Sequence, residues 1–241
     1  MPALNLRLTI EFDGGGFHGW QFQPDRPTVQ DEIERAVAAI AGSRLTVYGC
    51  SRTDSGVSAR NYVANFHADT RLAPDRWRRA LNNHLPRTIY VRQVVAADPS
   101  FHARFSARGK TYRYTAVRGR SPLRSTRAWE LRWPVETTRV RRALREFLGT
   151  RDFQPFCRTA DTNGTCAITG LTLDEAGDEL ALTVCGDRFL YKLVRRITGA
   201  AFEYGAGRLT LADIRFALAG KPRRSFRTAP AEGLCLESVD Y

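Results

Sequence analysis

The chain has 241 residues, 43% of them hydrophobic, and a formal net charge of +12. That length supports one large or two modest domains with real cores, the apolar content excludes a disordered chain, and the short, interrupted apolar runs exclude a membrane-spanning helix. All but three of the 37 basic residues are arginine (the lysines are Lys110, Lys192 and Lys221) and none forms a charged tail, so a folded, cytoplasmic protein with a polyanionic partner, nucleic acid first, is expected.

The opening "NLRLTIEF" alternates as a strand and lacks the apolar core of a signal peptide. "TVQDEIERAVAAIAG" reads as a helix, with Thr28 as N-cap, Val29, Ile33, Val37 and Ile40 as its buried stripe and Gly42 as its stop. Strands are expected around Val47 and at "NYVANFH", a helix over "PDRWRRALNNHL" and a strand at "TIYVRQVV". This β-α-β-β-α-β order is that of a ferredoxin-like unit. A second half starts with "KTYRYTAV", where Tyr112 and Tyr114 share a strand face. It continues with a helix over about 138–148 stopped by Gly149, strands "AITGLTL" and "ELALTVCG", a long helix from Phe189 to about Tyr204, a short helix "LADIRFALAG" and a closing strand "GLCLESVDY". The expectation is α/β (α+β): two ferredoxin-like halves, 1–104 and 105–241, with mainly antiparallel strands flanked by helices.

Four motifs carry possible chemistry. "GGGFHG" follows a strand and matches the dinucleotide pattern, but the chain continues "WQFQPDRP" with no helix to face a pyrophosphate, so a Gly-rich turn is expected instead. "TDSG" matches half of an aspartic protease, yet no second copy exists to share a proton with Asp54, and Arg52 stands beside it. The five cysteines lack any C-x-x-C spacing and the four histidines lack H-x-x-x-H, so neither a disulfide framework nor a metal site is expected. "FLYKLVRRITGA" sets Arg195 and Arg196 on an otherwise apolar helix, where a buried guanidinium needs a carboxylate partner. One of the two is expected to face Asp54 and its neighbour to point to solvent or phosphate. An isolated Asp in a Ser/Gly stretch is by default a surface turn; the phenols and paired arginines weigh against that reading here.

"SRTDSGVSA" resembles the G-R-T-D-A-G-V-H-A segment of the tRNA pseudouridine synthase A family. "EFDGGGFHGWQFQ", "SFHARFSARGKTYRY", "DFQPFC", "FLYKLVRRITGA" and "TAPAEGLCLESVDY" resemble further motifs of that family in the same order, from residue 11 to 241. Ser51, Ser55 and Ser58 stand where the family usually has Gly, Ala and His, and Lys192 precedes Leu193 where Met is common; the Arg-Thr-Asp core is intact.

The resemblance implies the pseudouridine synthase fold and conversion of uridine to pseudouridine at positions 38 to 40 of the tRNA anticodon stem-loop. It implies Asp54 as nucleophile, with Arg52, Tyr112 and Arg195 binding the substrate. It further implies a homodimer and no cofactor, since the isomerisation involves neither redox change nor net hydrolysis. Arg76, Arg78, Arg79, Arg118, Arg120 and Arg124 are candidate phosphate contacts, about half of them expected to be ordinary solvated surface. Two rivals are a catalytically silent RNA-binding protein on the same scaffold and an N-glycosidase that releases the base.

Overall fold

The computed structural model describes residues 3–157 and 163–241. Its contacts divide the chain into two compact units, Met1–Arg108 with Cys235–Tyr241, and Gly109–Leu234.

The first unit begins with β1 (Leu4–Phe12), whose alternation buries Leu6, Leu8, Ile10 and Phe12 on one face. Helix α1 (Val29–Ala41) starts at Thr28, whose hydroxyl accepts from the Asp31 amide at 3.4 Å, and ends at Gly42 in the left-handed conformation (φ 77°). A cap of this kind stabilises a helix by about 1 kcal/mol. β2 (Tyr48–Gly49), β3 (Ser58–Ala68), α2 (Pro74–His84) and β4 (Ile89–Ala96) follow. β1 pairs antiparallel with both β3 and β4, and β2 pairs antiparallel with β3, which gives the order expected of a β-α-β-β-α-β unit. α2 drops Trp77 onto Phe66 of β3, edge to face at 5.2 Å, and so roofs the sheet.

The second unit contains β5 (Gly109–Arg118), β6 (Trp129–Leu131), α3 (Thr137–Leu144), β7 (Gly149–Asp152), α4 (Gln154–Cys157), β8 (Thr165–Ala176), β9 (Glu179–Gly186), α5 (Leu193–Gly205) and α6 (Leu211–Leu218). β5 pairs antiparallel with β9, β9 with β8 and β8 with β7, while β6 runs parallel to β5. α5 is buried through Leu193, Ile197, Ala200, Ala201 and Phe202, which explains its apolar length.

Three differences from the sequence reading matter. Two short strands, β6 and β7, interrupt the second half. α5 begins at Leu193, four residues after Phe189, because Lys192 holds a left-handed backbone (φ 60°) that ends the preceding loop. The closing strand, β10 (Leu234–Asp240), was expected with residues 105–241, yet Cys235–Tyr241 belong with the first unit, since Cys235 and Leu236 pair in parallel with Ser58 and Ala59 of β3. Glu237 adds an ion pair with Arg60 at 3.1 Å and its carbonyl accepts from Asn61 at 2.8 Å.

Candidate active site

Asp54 lies in the loop between β2 and β3, and the loop's shape follows from what is pressed against it. Beneath it, Trp20 stacks on Tyr62 with ring centroids 4.1 Å apart. The Tyr62 hydroxyl donates to the carbonyl of Ser51, which anchors the start of the loop. Gly49 has to be glycine here: a Cβ would stand 2.2 Å from the Tyr62 hydroxyl. Beyond Asp54 the chain reverses, with the Val57 amide donating to the Asp54 carbonyl at 3.2 Å and Gly56 at φ 82°.

The other wall is the Gly14–Trp20 segment. Gly14–Gly16 form one tight turn capped by Asp13, whose carboxylate accepts from the Gly15 amide at 3.0 Å. From there the Trp20 amide donates to the Thr53 carbonyl, the Gly56 amide to the Phe17 carbonyl, and the Gly14 amide to the Ser58 hydroxyl at 3.0 Å. The Ser55 hydroxyl also donates to the Phe17 carbonyl, at 3.3 Å. Two of the serines that depart from the family pattern therefore stitch this loop to its wall. "GGGFHG" is the Gly-rich turn expected, and its function is close backbone approach: Cβ atoms on Gly14 and Gly19 would stand 2.2 and 2.3 Å from the carbonyl oxygens of Val57 and Thr53. The sequence reading missed Trp20, Tyr62 and this packing, although the glycine spacing signalled it.

Asp54 is half-buried and Arg52 is exposed, with its Nε donating to Oε1 of Gln21 at 2.7 Å. Further back, Glu34 on α1 accepts from the Val47 amide at 3.1 Å and from Arg44 at 2.8 Å, and Asp31 accepts from Arg44 at 2.8 Å. These bonds tie the approach to β2 down onto α1. The hydrogen bonds to Glu34, then to Asp31, raise the Arg44 guanidinium above its ordinary value.

The second unit holds the other two expected residues. Tyr112, on β5 opposite Val184, is 7% exposed and meets Phe189 edge to face at 5.2 Å. Tyr114, two residues on and on the same face, is fully buried and donates to the Pro230 carbonyl at 2.8 Å; burial pushes its phenol well above the usual range. It is a packing residue.

Arg195 sits in the first turn of α5, half-buried, and its Nε donates to the Ala229 carbonyl at 2.8 Å while the Ala229 amide donates back to the Arg195 carbonyl at 3.0 Å. Gly199 lets the same segment lie close, since a Cβ there would stand 1.9 Å from the Arg227 carbonyl oxygen. The "TAPAEG" stretch is thus fastened to α5 through its backbone. Arg196 is also half-buried, and its Nη1 donates to the Phe156 carbonyl at 2.6 Å rather than pointing to solvent or phosphate.

Of the six arginines expected as phosphate contacts, four are held by carboxylates. Arg78 and Arg79 pair with Asp75, Arg118 with Glu175 and Arg124 with Asp178. Among the described residues no group of three His, Cys, Asp or Glu side chains is arranged to hold a metal ion, and no helix is long and apolar enough to cross a membrane.

A family model described as tRNA pseudouridine synthase matches residues 8–106 and 143–241, which takes in the Asp54 loop, α5 and β10. The chain belongs to the tRNA pseudouridine synthase family. Curated relatives named tRNA pseudouridine synthase A cover it end to end. That of Acetivibrio thermocellus is 38% identical over 242 residues, covering 98% of this chain and 99% of its own. That of Moorella thermoacetica is 37% identical over 248 residues, with 100% of both chains covered. That of Shouchella clausii is 38% identical, covering 98% of this chain and 93% of its own. Among solved structures, a chain of a Cbf5-Nop10-Gar1 complex superposes with a TM-score of 0.41 at 12% identity, over 95% of this chain and 57% of that one, a likeness too low to argue from.

Proposed function

We propose that this protein isomerises uridine to pseudouridine in tRNA, at positions 38 to 40 of the anticodon stem-loop, with Asp54 as the nucleophile. The observation that carries the reading is family membership along the whole chain together with an intact Arg-Thr-Asp turn, built onto two glycines that tolerate no side chain.

The reaction breaks the N1–C1′ glycosidic bond, turns the uracil in place, joins C5 to C1′ and matches the proton lost from C5 with one gained at N1. An ionised carboxylate serves by capturing C1′ as in a retaining glycosidase; addition to C6 of the ring, or removal of a ribose proton on a glycal route, uses the same group. No electron leaves or enters, so no cofactor is called for. The target nucleotide leaves the helical stack first. Arg52, exposed on the Asp54 turn, takes the vacated place or holds the flipped nucleotide. Tyr112 lies against the uracil and accepts the C5 proton, and Arg195 binds the substrate from α5. The enzyme works in the cytoplasm as a homodimer, with tRNA held largely by its backbone.

The test is tritium release from a tRNA transcript labelled at C5 of uridine, by the wild type and by Asp54→Asn. Release by the wild type alone, without free uracil, is the expected result. Free uracil would make the protein an N-glycosidase. No release by either protein, with tRNA still bound, would make it a silent RNA-binding scaffold.

A further inference from the structure

In the second unit two guanidinium groups rest on tryptophan instead of carboxylate. The Arg208 guanidinium carbon lies 4.1 Å from the ring centroid of Trp133, and that of Arg227 lies 5.2 Å from Trp133 and 5.3 Å from Trp129. Both arginines are exposed, and among the described residues neither guanidinium has a carboxylate within ion-pair distance; the Glu203 carboxylate nearby accepts instead from the Arg227 backbone amide at 3.4 Å. Arg118, Arg124 and Arg215, also in this unit, do have such partners. Arg224 donates to the Arg208 carbonyl at 3.0 Å and brings a third positive charge to the same backbone. Trp133 in turn lines a groove of about 660 Å³ whose walls include Arg120, together with Arg118 and Arg132, which are already paired with Glu175 and Glu130.

A guanidinium held over an aromatic ring spends no hydrogen bond on that contact, so its N–H donors stay free, in the fork geometry that matches a phosphate. An arginine already paired with a carboxylate has to give up that pair to bind an anion. Arg208 and Arg227 have none to give up, and the indole rings hold them in place beforehand. We propose that Arg208 and Arg227, with the adjoining arginine-walled groove, form a binding site for the phosphodiester backbone of the tRNA substrate, and that Trp133 is its rigid floor. The proposal rests on the tRNA reading above. Charge favours RNA over a second copy of this chain, because a second copy at +12 would bring like charge to the patch.

The experiment measures tRNA binding against salt concentration for the wild type, for Arg208→Gln/Arg227→Gln and for Arg208→Lys/Arg227→Lys, with thermal unfolding as a check on folding. Removing one cation that neutralises a phosphate lowers the slope of log affinity against log salt by about 1. The glutamine pair is expected to lower that slope by about 2 and to weaken binding roughly tenfold or more at moderate salt. The lysine pair, which keeps the charges, should hold most of the slope. If the double glutamine variant fails to fold, each single glutamine variant should lower the slope by about 1. An unchanged slope, or glutamine and lysine pairs that behave alike, overturns the proposal. So does a glutamine pair whose mass in solution without RNA differs from wild type, since the patch would then be a subunit interface.

Pseudouridine formation by the wild type on the same transcript separates the two readings. Product with an unchanged slope in the glutamine pair removes the patch and keeps the enzyme. A lowered slope without product from the wild type removes the enzyme and keeps the patch. Wild type that does not bind tRNA overturns both.

Discussion

Gly19 and Thr53 meet backbone to backbone: the Thr53 carbonyl oxygen lies 2.3 Å from where a Cβ on Gly19 would stand, and Gly19 holds φ 86°. An alanine there meets both a clash and a left-handed backbone. Gly19→Ala is therefore expected to cost about 1–3 kcal/mol of stability and to displace the residues beside Asp54. Chemical denaturation and the tritium-release assay check it together. A variant with wild-type stability and rate would mean that the glycine wall does not set the loop.

Asp54→Asn keeps the size of the side chain and removes its negative charge. Pseudouridine formation should fall by at least about 10³-fold, as it does when a nucleophile is removed, while tRNA binding persists. Single-turnover kinetics with enzyme in excess over tRNA reads the chemical step alone. A fall confined to binding would assign Asp54 to the RNA interface.

Tyr112→Phe removes only the hydroxyl and leaves the ring against Phe189. Loss of a group that accepts the C5 proton should slow product formation on the order of 10²-fold with tRNA still bound. Unchanged single-turnover rates would take the proton-transfer role from Tyr112 and leave it a packing surface for the uracil.

Burial sets an alkaline limit on stability. The Tyr241 phenol donates to the Ala103 carbonyl at 2.7 Å and burial holds it above the usual range; the Cys235 thiol is pushed up to about 12 by burial and then by Glu237. In the unfolded chain these groups ionise near about 10 and about 8.5. Their contribution is thus complete below about pH 8.5 and is lost as the pH climbs through the folded values, because the unfolded state releases its protons first. Urea midpoints should hold steady from about pH 7 to 8, start to fall above about pH 8.5 and fall more steeply above about pH 10, with a shallower fall in Tyr241→Phe. Equal slopes in the two proteins would exclude Tyr241 as a source.

Strong local signals were legible in the sequence: Thr28 and Gly42 bound α1 as read, and the alternation of β1 predicted its buried face. β7 was not legible, because Gly149–Asp152 are all exposed and carry no alternation, so Gly149 read only as a helix stop. β6 spans three residues, too few for any period to show. The start of α5 was misplaced because Leu190 is buried in the loop before it, and an apolar loop residue looks like one more turn of helix. At the candidate site Asp54 stood out through the Arg-Thr-Asp turn that resembles the family motif, since an isolated Asp in a Ser/Gly stretch reads by itself as a surface turn. Its supports did not, because Trp20 and Tyr62 lie far apart in the chain and meet only through the fold. Arg118 and Glu175 likewise meet only across the sheet, whereas Arg78 and Arg79 pair with Asp75 at helical spacing that the sequence does carry.

The return of Cys235–Tyr241 to β3 has a consequence for how the protein is made. β10 leaves the ribosome after the entire second unit, so Ser58 and Ala59, four and five residues past Asp54, wait for their parallel partner while everything between is synthesised. The second unit is contiguous and meets no such delay. Assembly therefore runs against the usual order in which the earlier unit finishes first. The strand that carries the Asp54 loop gains its flank, with Leu236 fully buried, only after the whole second unit has been made. A nascent chain stalled before residue 235 would hold all of the residues proposed for chemistry and still lack the frame that sets one of them.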